Sequence, residues 1–225
     1  MAGNNTGKEI RLDIIGSNFI VGGSIPVKII YKNNSRQTIA FKEPEKTWEV
    51  KLVVINGKAE ANEVPFGKIF YREISEDFSR TTIEEAEMIS LGTGMQYMFE
   101  CDISERWPEL FVPGENIVYI ADKTDDTQTY KSNSATIKVV FSAESVENLL
   151  RIVENGQSSY DARLFGMNYL RKFYPDMNLI LEPATDREKA KNHIMINKFK
   201  SWWEYNKNTE GVNSIIRHIN TTPER

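Results

Sequence analysis

The hydrophobic period of the chain changes once, near Ser142, and that change limits the fold more than any other feature. Before it, apolar residues recur at every second position. Glu9–Ile15 reads E-I-R-L-D-I-I, and Ser24–Lys32 reads S-I-P-V-K-I-I-Y-K. That period puts one face of a strand into a core. Gln37–Lys42, Trp48–Ile55, Met95–Ile103, Glu115–Asp122 and Ser134–Phe141 read the same way, and Lys68–Ile74 and Thr82–Leu91 are further strand candidates. The turn signals between them are Gly22-Gly23, Asn33-Asn34-Ser35, Asn56-Gly57, Gly92-Thr93-Gly94 and Pro113-Gly114. Lys58–Phe66 does not alternate and reads as loop; Ser104–Leu110, around Trp107-Pro108, reads as an irregular turn. Short strands with turns between them and no helical interludes predict an antiparallel sandwich or barrel.

After Ser142 the apolar spacing becomes three and four. Val146, Leu149, Leu150 and Val153 form one helical face, with Ser142 as N-cap. A second helix spans about Ser159–Phe173 and stops before Pro175. Thr185-Asp186-Arg187-Glu188 is a capping box that opens a long helix to about Asn206. Its apolar stripe is Met195, Phe199, Trp202 and Trp203, preceded by Ile194. Thr209 caps a last helix bearing Val212, Ile215, Ile216 and Ile219. The expected fold class is α+β. An antiparallel Ig-like β-sandwich at 8–141 precedes a four-helix, HEAT-like region at 142–220, with two helical hairpins and no linker between the regions.

Composition narrows the function classes. Of 225 residues, 40% are hydrophobic and 27% charged, so the chain can build a core and is not disordered as a whole. No apolar run approaches the ~18 residues of a membrane span. Lys and Arg number 28 against 32 Asp and Glu, a formal charge of −4, which argues against duplex nucleic acid as a partner. Residues 1–8 carry no apolar signal segment. The expected compartment is cytoplasmic, or periplasmic or extracellular if a signal peptide has been removed.

The residues that could carry chemistry are few. Cys101 is the single cysteine, so it forms no intrachain disulfide; between Phe99 and Ile103 it reads as a small core residue. His193 and His218 lack any metal-ligand spacing and read as surface or interface residues. Asp122, Asp125 and Asp126 could offer oxygen ligands to a hard cation, but their spacing is not that of a calcium loop, and a solvated loop is the competing reading. Glu84, Glu85 and Glu87 could pair as acid and base, but adjacent acids more often protect an edge strand. No cofactor is expected. The adjacent Trp202 and Trp203 are about 100° apart on a helix, so one packs inward and the other faces a neighbouring element or a partner. Trp107, in R-W-P, is either an exposed anchor or a plug on the sandwich.

The turns also carry a resemblance. S-I-P-V-K-I-I-Y-K-N-N at Ser24–Asn34, I-S-L-G-T-G-M-Q-Y-M-F-E-C-D-I at Ile89–Ile103 and V-P-G-E-N at Val112–Asn116 resemble the Ig-like sandwich of bacterial and fungal extracellular proteins. They look like the non-catalytic N-terminal sandwich of deuterolysin-type zinc metallopeptidases and of intracellular proteinase inhibitors. The zinc-binding H-E-x-x-H is missing, so proteolysis is not implied and no site residue carries over.

Three functions follow as expectations. The first is a non-enzymatic protein-binding or inhibitory module, such as a bacterial immunity or inhibitor protein, with an unidentified protein partner. It would bind through the helices at Trp202 or Trp203 and the loop at Trp107. The second is an envelope-associated glycan or cell-wall binding protein that stacks sugars on Trp107. The third is a hydrolase with carboxylates from both domains.

Overall fold

The computed structural model describes residues 7–44, 47–57, 61–66, 88–125 and 128–222, without the side chains of 124 and 125. The protein is mixed α and β. It divides into two compact units, each drawn from several stretches of chain. The first comprises Met1–Ile15, Pro26–Cys101 and Ile117–Thr136; the second comprises Gly16–Ile25, Asp102–Asn116 and Ile137–Arg225.

In the first unit, β1 (Lys8–Ile14) pairs antiparallel with β3 (Pro26–Asn33), from Lys8↔Asn33 to Ile14↔Val27. β8 (Gln96–Asp102) lies on the other side of β3. β4 (Ile39–Lys42) pairs with β7 (Met88–Leu91). β5 (Val50–Asn56) lies between β6 (Asn62–Pro65) and β9 (Gly114–Asp125), and β10 (Gln128–Lys131) pairs with β9. The alternation does what it predicts: Leu12, Val27, Ile29, Tyr31, Leu52, Val54, Val118 and Ile120 are all buried. β6 lies in the stretch read as loop. Its sequence N-E-V-P has no period, and backbone pairing to β5 makes it a strand, from Val54↔Asn62 to Lys51↔Pro65. Lys68–Ile74 and the acids Glu84, Glu85 and Glu87 lie outside the described residues.

Asn33 ends β3 with a buried side-chain amide. Its Nδ2 donates to the carbonyls of Gln37 (2.7 Å) and Leu91 (2.8 Å), and its Oδ1 accepts from the Ser35 N–H. The turn cluster is thus held by a fully bonded buried amide, which the fold tolerates because its hydrogen bonds are met.

The α-helices among the described residues fall in the second unit, as do residues 16–25, 102–116 and 137–141, which the hydrophobic period groups with the strands. β2 (Asn18–Ile20) runs parallel to β11 (Ala135–Val140), pairing Lys138↔Asn18 to Val140↔Ile20. The expected all-antiparallel arrangement therefore fails here. Three residues are too few to show a period, and a parallel pair needs no adjoining turn to announce it. Asp102 caps the short helix α1 (Ile103–Arg106). Its Oδ1 accepts from the N–H groups of Ile25, Ser104 and Glu105, and its Oδ2 from the Ser24 hydroxyl. The Ser104 hydroxyl donates to Oδ1 as well; burial alone would raise this carboxyl's pKa, but the hydrogen bonds from Ser24, Ile25, Glu105 and the Ser104 hydroxyl outweigh it and hold the group below its ordinary value.

α2 (Ala143–Glu154) starts at Ser142 in a capping box with Ser145 and buries Val146, Leu149, Leu150 and Val153. α3 (Tyr160–Phe173) packs on α2 through Gly166, where a β-carbon would come within 2.9 Å of Val153. Gly22 makes a similar approach to α2, with φ of 70° and 3.1 Å to Asn148 for an added β-carbon. α4 (Asp186–Asn206) opens with the Thr185–Glu188 capping box, and α5 (Glu210–Thr221) is capped by Thr209. Asn220 of α5 clamps the end of β11: its Oδ1 accepts the Phe141 N–H and its Nδ2 donates to the Phe141 carbonyl, each at 2.8 Å. Phe141 stacks on Tyr169 and Phe173, forming the aromatic floor of the helical core.

Candidate functional site

α4 carries apolar residues on two faces. At 100° per residue, Ile196, Phe199 and Trp203 point one way, and all three are buried. Phe199 and Trp203 lie parallel, 6.4 Å between centroids, and Phe173 meets Trp203 edge-on at 5.8 Å. The indole N–H of Trp203 is buried without a hydrogen-bond partner. The sequence stripe assigned Met195 and Ile194 to this face. Met195 is only half-buried and Ile194 is 56% exposed; the inward position is Ile196.

On the opposite side, Arg187, Lys191, Ile194, Lys198, Ser201 and Tyr205 follow at intervals of four, three, four, three and four. They fall within about 40° of one line along the helix. All six are exposed, Tyr205 by 85%. Trp202 flanks this line, half-buried, with its ring 5.7 Å from Tyr174 and 5.9 Å from Phe199. Beside it lies an open groove of about 510 Å³ lined by Tyr174, Ile194, Asn197, Lys198 and Ser201. An exposed isoleucine and tyrosine thus stand on one helical line, next to a groove walled by Tyr174.

The ion pairs of α4 separate its cations into two sets. Lys189 lies 3.6 Å from Asp186, and Lys200 lies 2.5 Å from Glu154. Just past the helix, Lys207 pairs with Glu204 at 2.8 Å. Glu188 is engaged at the N-cap, where the Thr185 backbone N–H and hydroxyl hold its carboxyl below the ordinary range. Arg187, Lys191 and Lys198, all on the exposed line, have no carboxylate within ion-pair distance among the described residues.

The other sequence candidates do not join this surface. Trp107 is 3% exposed, set between α1 and the 3-10 turn Pro108–Leu110, which packs on α3. It is a core residue, and the expectation that it forms an exposed anchor is wrong. Pro108 and the α1 turn fold it inward, where its large apolar area is best used. Trp203 is 2% exposed and also serves the core, so of the adjacent pair only Trp202 reaches the surface. Cys101 is half-buried, not a core residue. His193 and His218 are both exposed.

Asp122 does not lie in a solvated loop. It is fully buried in β9, with Lys8 Nζ at 2.8 Å. The ammonium also lies 4.7, 5.5 and 5.8 Å from the ring centroids of Tyr130, Tyr31 and Phe41. Burial, and then the Asp122 charge, push the Tyr31 hydroxyl well above its usual pKa. Asp122 Oδ2 is thus taken by a buried ammonium that would compete with a cation there. The Asp125 side chain and Asp126 lie outside the described residues. No group of three or more His, Cys, Asp or Glu that could hold a metal occurs among the described residues.

No family model matches the sequence, and no curated protein matches it. Solved structures give faint likenesses. One is an alkylpurine DNA glycosylase of Pseudomonas fluorescens bound to DNA containing an abasic site analogue: 14% identity, TM-score 0.37, covering 61% of this chain and 32% of that one. Another is a β-glucosidase of Listeria innocua: 14% identity, TM-score 0.32, covering 59% of this chain and 16% of that one. A β-glucosidase of Erythrobacter marinus matches at 12% identity and TM-score 0.31 with the same coverage. The chain thus spans about a third of the glycosylase and about a sixth of each glucosidase. At these scores the likenesses assign neither a fold nor a function. No helix among the described residues is long and apolar enough to cross a membrane.

Proposed function

We propose that the protein is a non-enzymatic binding module of the inhibitor or immunity type. In this reading the strands form an Ig-like sandwich, the helices form a HEAT-like pair of hairpins, and a protein partner docks on the outer face of α4. The observation that carries it is the line of exposed residues through Ile194 and Tyr205, flanked by Trp202 and the groove at Tyr174. A helix that only needed to fold would keep polar residues on its outer face. The alternative of a glycan-binding envelope protein loses its stacking residue, because Trp107 offers almost no surface to a sugar.

Photo-crosslinking tests the proposal. Benzoyl-phenylalanine at position 194 or 205 of the full chain should give a discrete adduct in lysate of the source organism. The same group at exposed His193, on another side of α4, should not. The adduct should disappear when excess wild-type chain is added, and the partner's activity should fall when the purified chain is supplied. Equal crosslinking from 193, 194 and 205, or none from 194 and 205, would overturn the reading.

A further inference from the structure

We infer that the occupant of the α4 face is an acidic segment of a partner protein, bound along the helix with an apolar side chain at Ile194. This inference rests on the binding-module reading and adds the chemistry of the partner. Its ground is the placement of Arg187, Lys191 and Lys198. Three cations without ion pairs among the described residues share one line with Ile194, Ser201 and Tyr205, in a chain whose formal charge is −4. The other α4 cations, Lys189 and Lys200, lie off that line and are paired.

Apart from the attraction between Lys191 and Glu188, the local helix energetics oppose this arrangement. Arg187 lies in the first turn of α4, where the positive end of the helix dipole disfavours a cation. Arg187 and Lys191 are like charges four residues apart, a spacing that weakens a helix. Of the acids nearest the line, Asp186 pairs with Lys189 and Glu204 with Lys207, while Glu188 is held at the N-cap and feels the Lys191 charge one turn away without an ion pair. A partner with carboxylates at matching spacing would relieve both local penalties on binding.

The line from residue 187 to residue 205 runs about 27 Å, the length of an acidic helix or extended strand of ordinary size. An acidic polypeptide suits it better than a nucleic acid. Three cations release few counterions, too few to hold a long phosphate backbone by charge alone. The exposed isoleucine and the groove call for an apolar side chain as well as charge.

The test is selection of random phage-displayed peptides on the full chain, with binding of the winners measured by fluorescence anisotropy. Selected peptides should be rich in Asp and Glu around one apolar residue. Their affinity should fall several-fold between about 50 and about 300 mM salt. Combined Arg187→Glu, Lys191→Glu and Lys198→Glu should weaken them about tenfold or more. Because all three residues are exposed, the variant should keep its circular dichroism and melting temperature. If it does not, the Gln versions of the same substitutions serve instead, and should weaken binding by a smaller factor.

Peptides with no acidic excess that are nevertheless lost with Ile194→Asp or Tyr205→Ser would overturn the acidic inference while leaving docking at this face intact. Peptides insensitive to both sets of substitutions, or no enrichment at all, would overturn both. Tighter binding of an oligothymidylate than of any selected peptide would overturn the inference in favour of nucleic acid. Self-association in sedimentation that is abolished by the charge reversal would overturn it in favour of a second copy.

Discussion

Lys8 in the first unit and Lys198 in the second carry the same charge under opposite conditions. The Lys8 side chain is 6% exposed and sits on the Asp122 carboxylate at 2.8 Å, inside a ring of three aromatic side chains. Lys198 stands in water beside an open groove with no carboxylate near it. The difference is a matter of desolvation. An ammonium taken out of water must meet an anion and hydrogen-bond acceptors, or the fold loses several kcal/mol. A cation at the surface has no such requirement, so its position is free to serve something other than folding. A buried pair therefore reports on the architecture of a unit, while surface cations in register, free of that demand, are available to a partner.

The strongest way to break this comparison is to remove one half of the buried pair. Asp122→Ala should cost about 3–5 kcal/mol in urea unfolding, because it strands a buried ammonium. Lys8→Met combined with Asp122→Leu should recover most of that loss. A cost below ~1 kcal/mol for Asp122→Ala would mean that Lys8 finds water, and the contrast would fail.

The two faces of α4 offer a comparison within one helix. Phe199→Ala should destabilise by about 3–5 kcal/mol, as expected for a buried aromatic residue. Ile194→Ala, on the exposed side, should stay within about 0.5 kcal/mol. Equal losses in thermal denaturation would show that the outer face supports the fold.

Asp102 comes next in size. Asp102→Ala should cost about 1 kcal/mol through the lost cap. Because its folded pKa lies below the ordinary value of 3.8, the carboxylate stabilises the protein above that pH. The contribution is lost as the pH falls through the lower, folded value. The gap between wild type and variant should therefore be constant from neutral pH down to about 4 and shrink below it. The smallest effect on stability belongs to the triple charge reversal on α4, within about 0.5 kcal/mol by urea unfolding.

The helices were legible because each carries its own signals. Ser142, the Thr185–Glu188 box and Thr209 are local, and the spacing of Val146, Leu149, Leu150 and Val153 is local too. The strands at β1, β3 and β5 were legible through alternation. β2, β6 and β10 were not, since each has four residues or fewer and owes its state to backbone pairing with a strand elsewhere in the chain. The candidate site was half legible. The adjacent Trp202 and Trp203 predict that one ring packs inward, and the sequence does not say which. Ile194 was counted with the core, and Arg187, Lys191 and Tyr205 were passed over. Their four-three spacing was present in the sequence but was masked by Phe199 and Trp203, which produce a second stripe on the same helix.

By itself, then, the sequence determined where hydrophobic period, caps and turns place helices and most strands, because those preferences act within a few residues. Only the tertiary structure decided that Asp122 meets Lys8 across 114 positions, that Trp107 turns inward and that β2 lies parallel to β11. It also decided which of the two α4 stripes is covered. Each of these depends on which distant surface is available to pack against, and a local pattern carries no record of that.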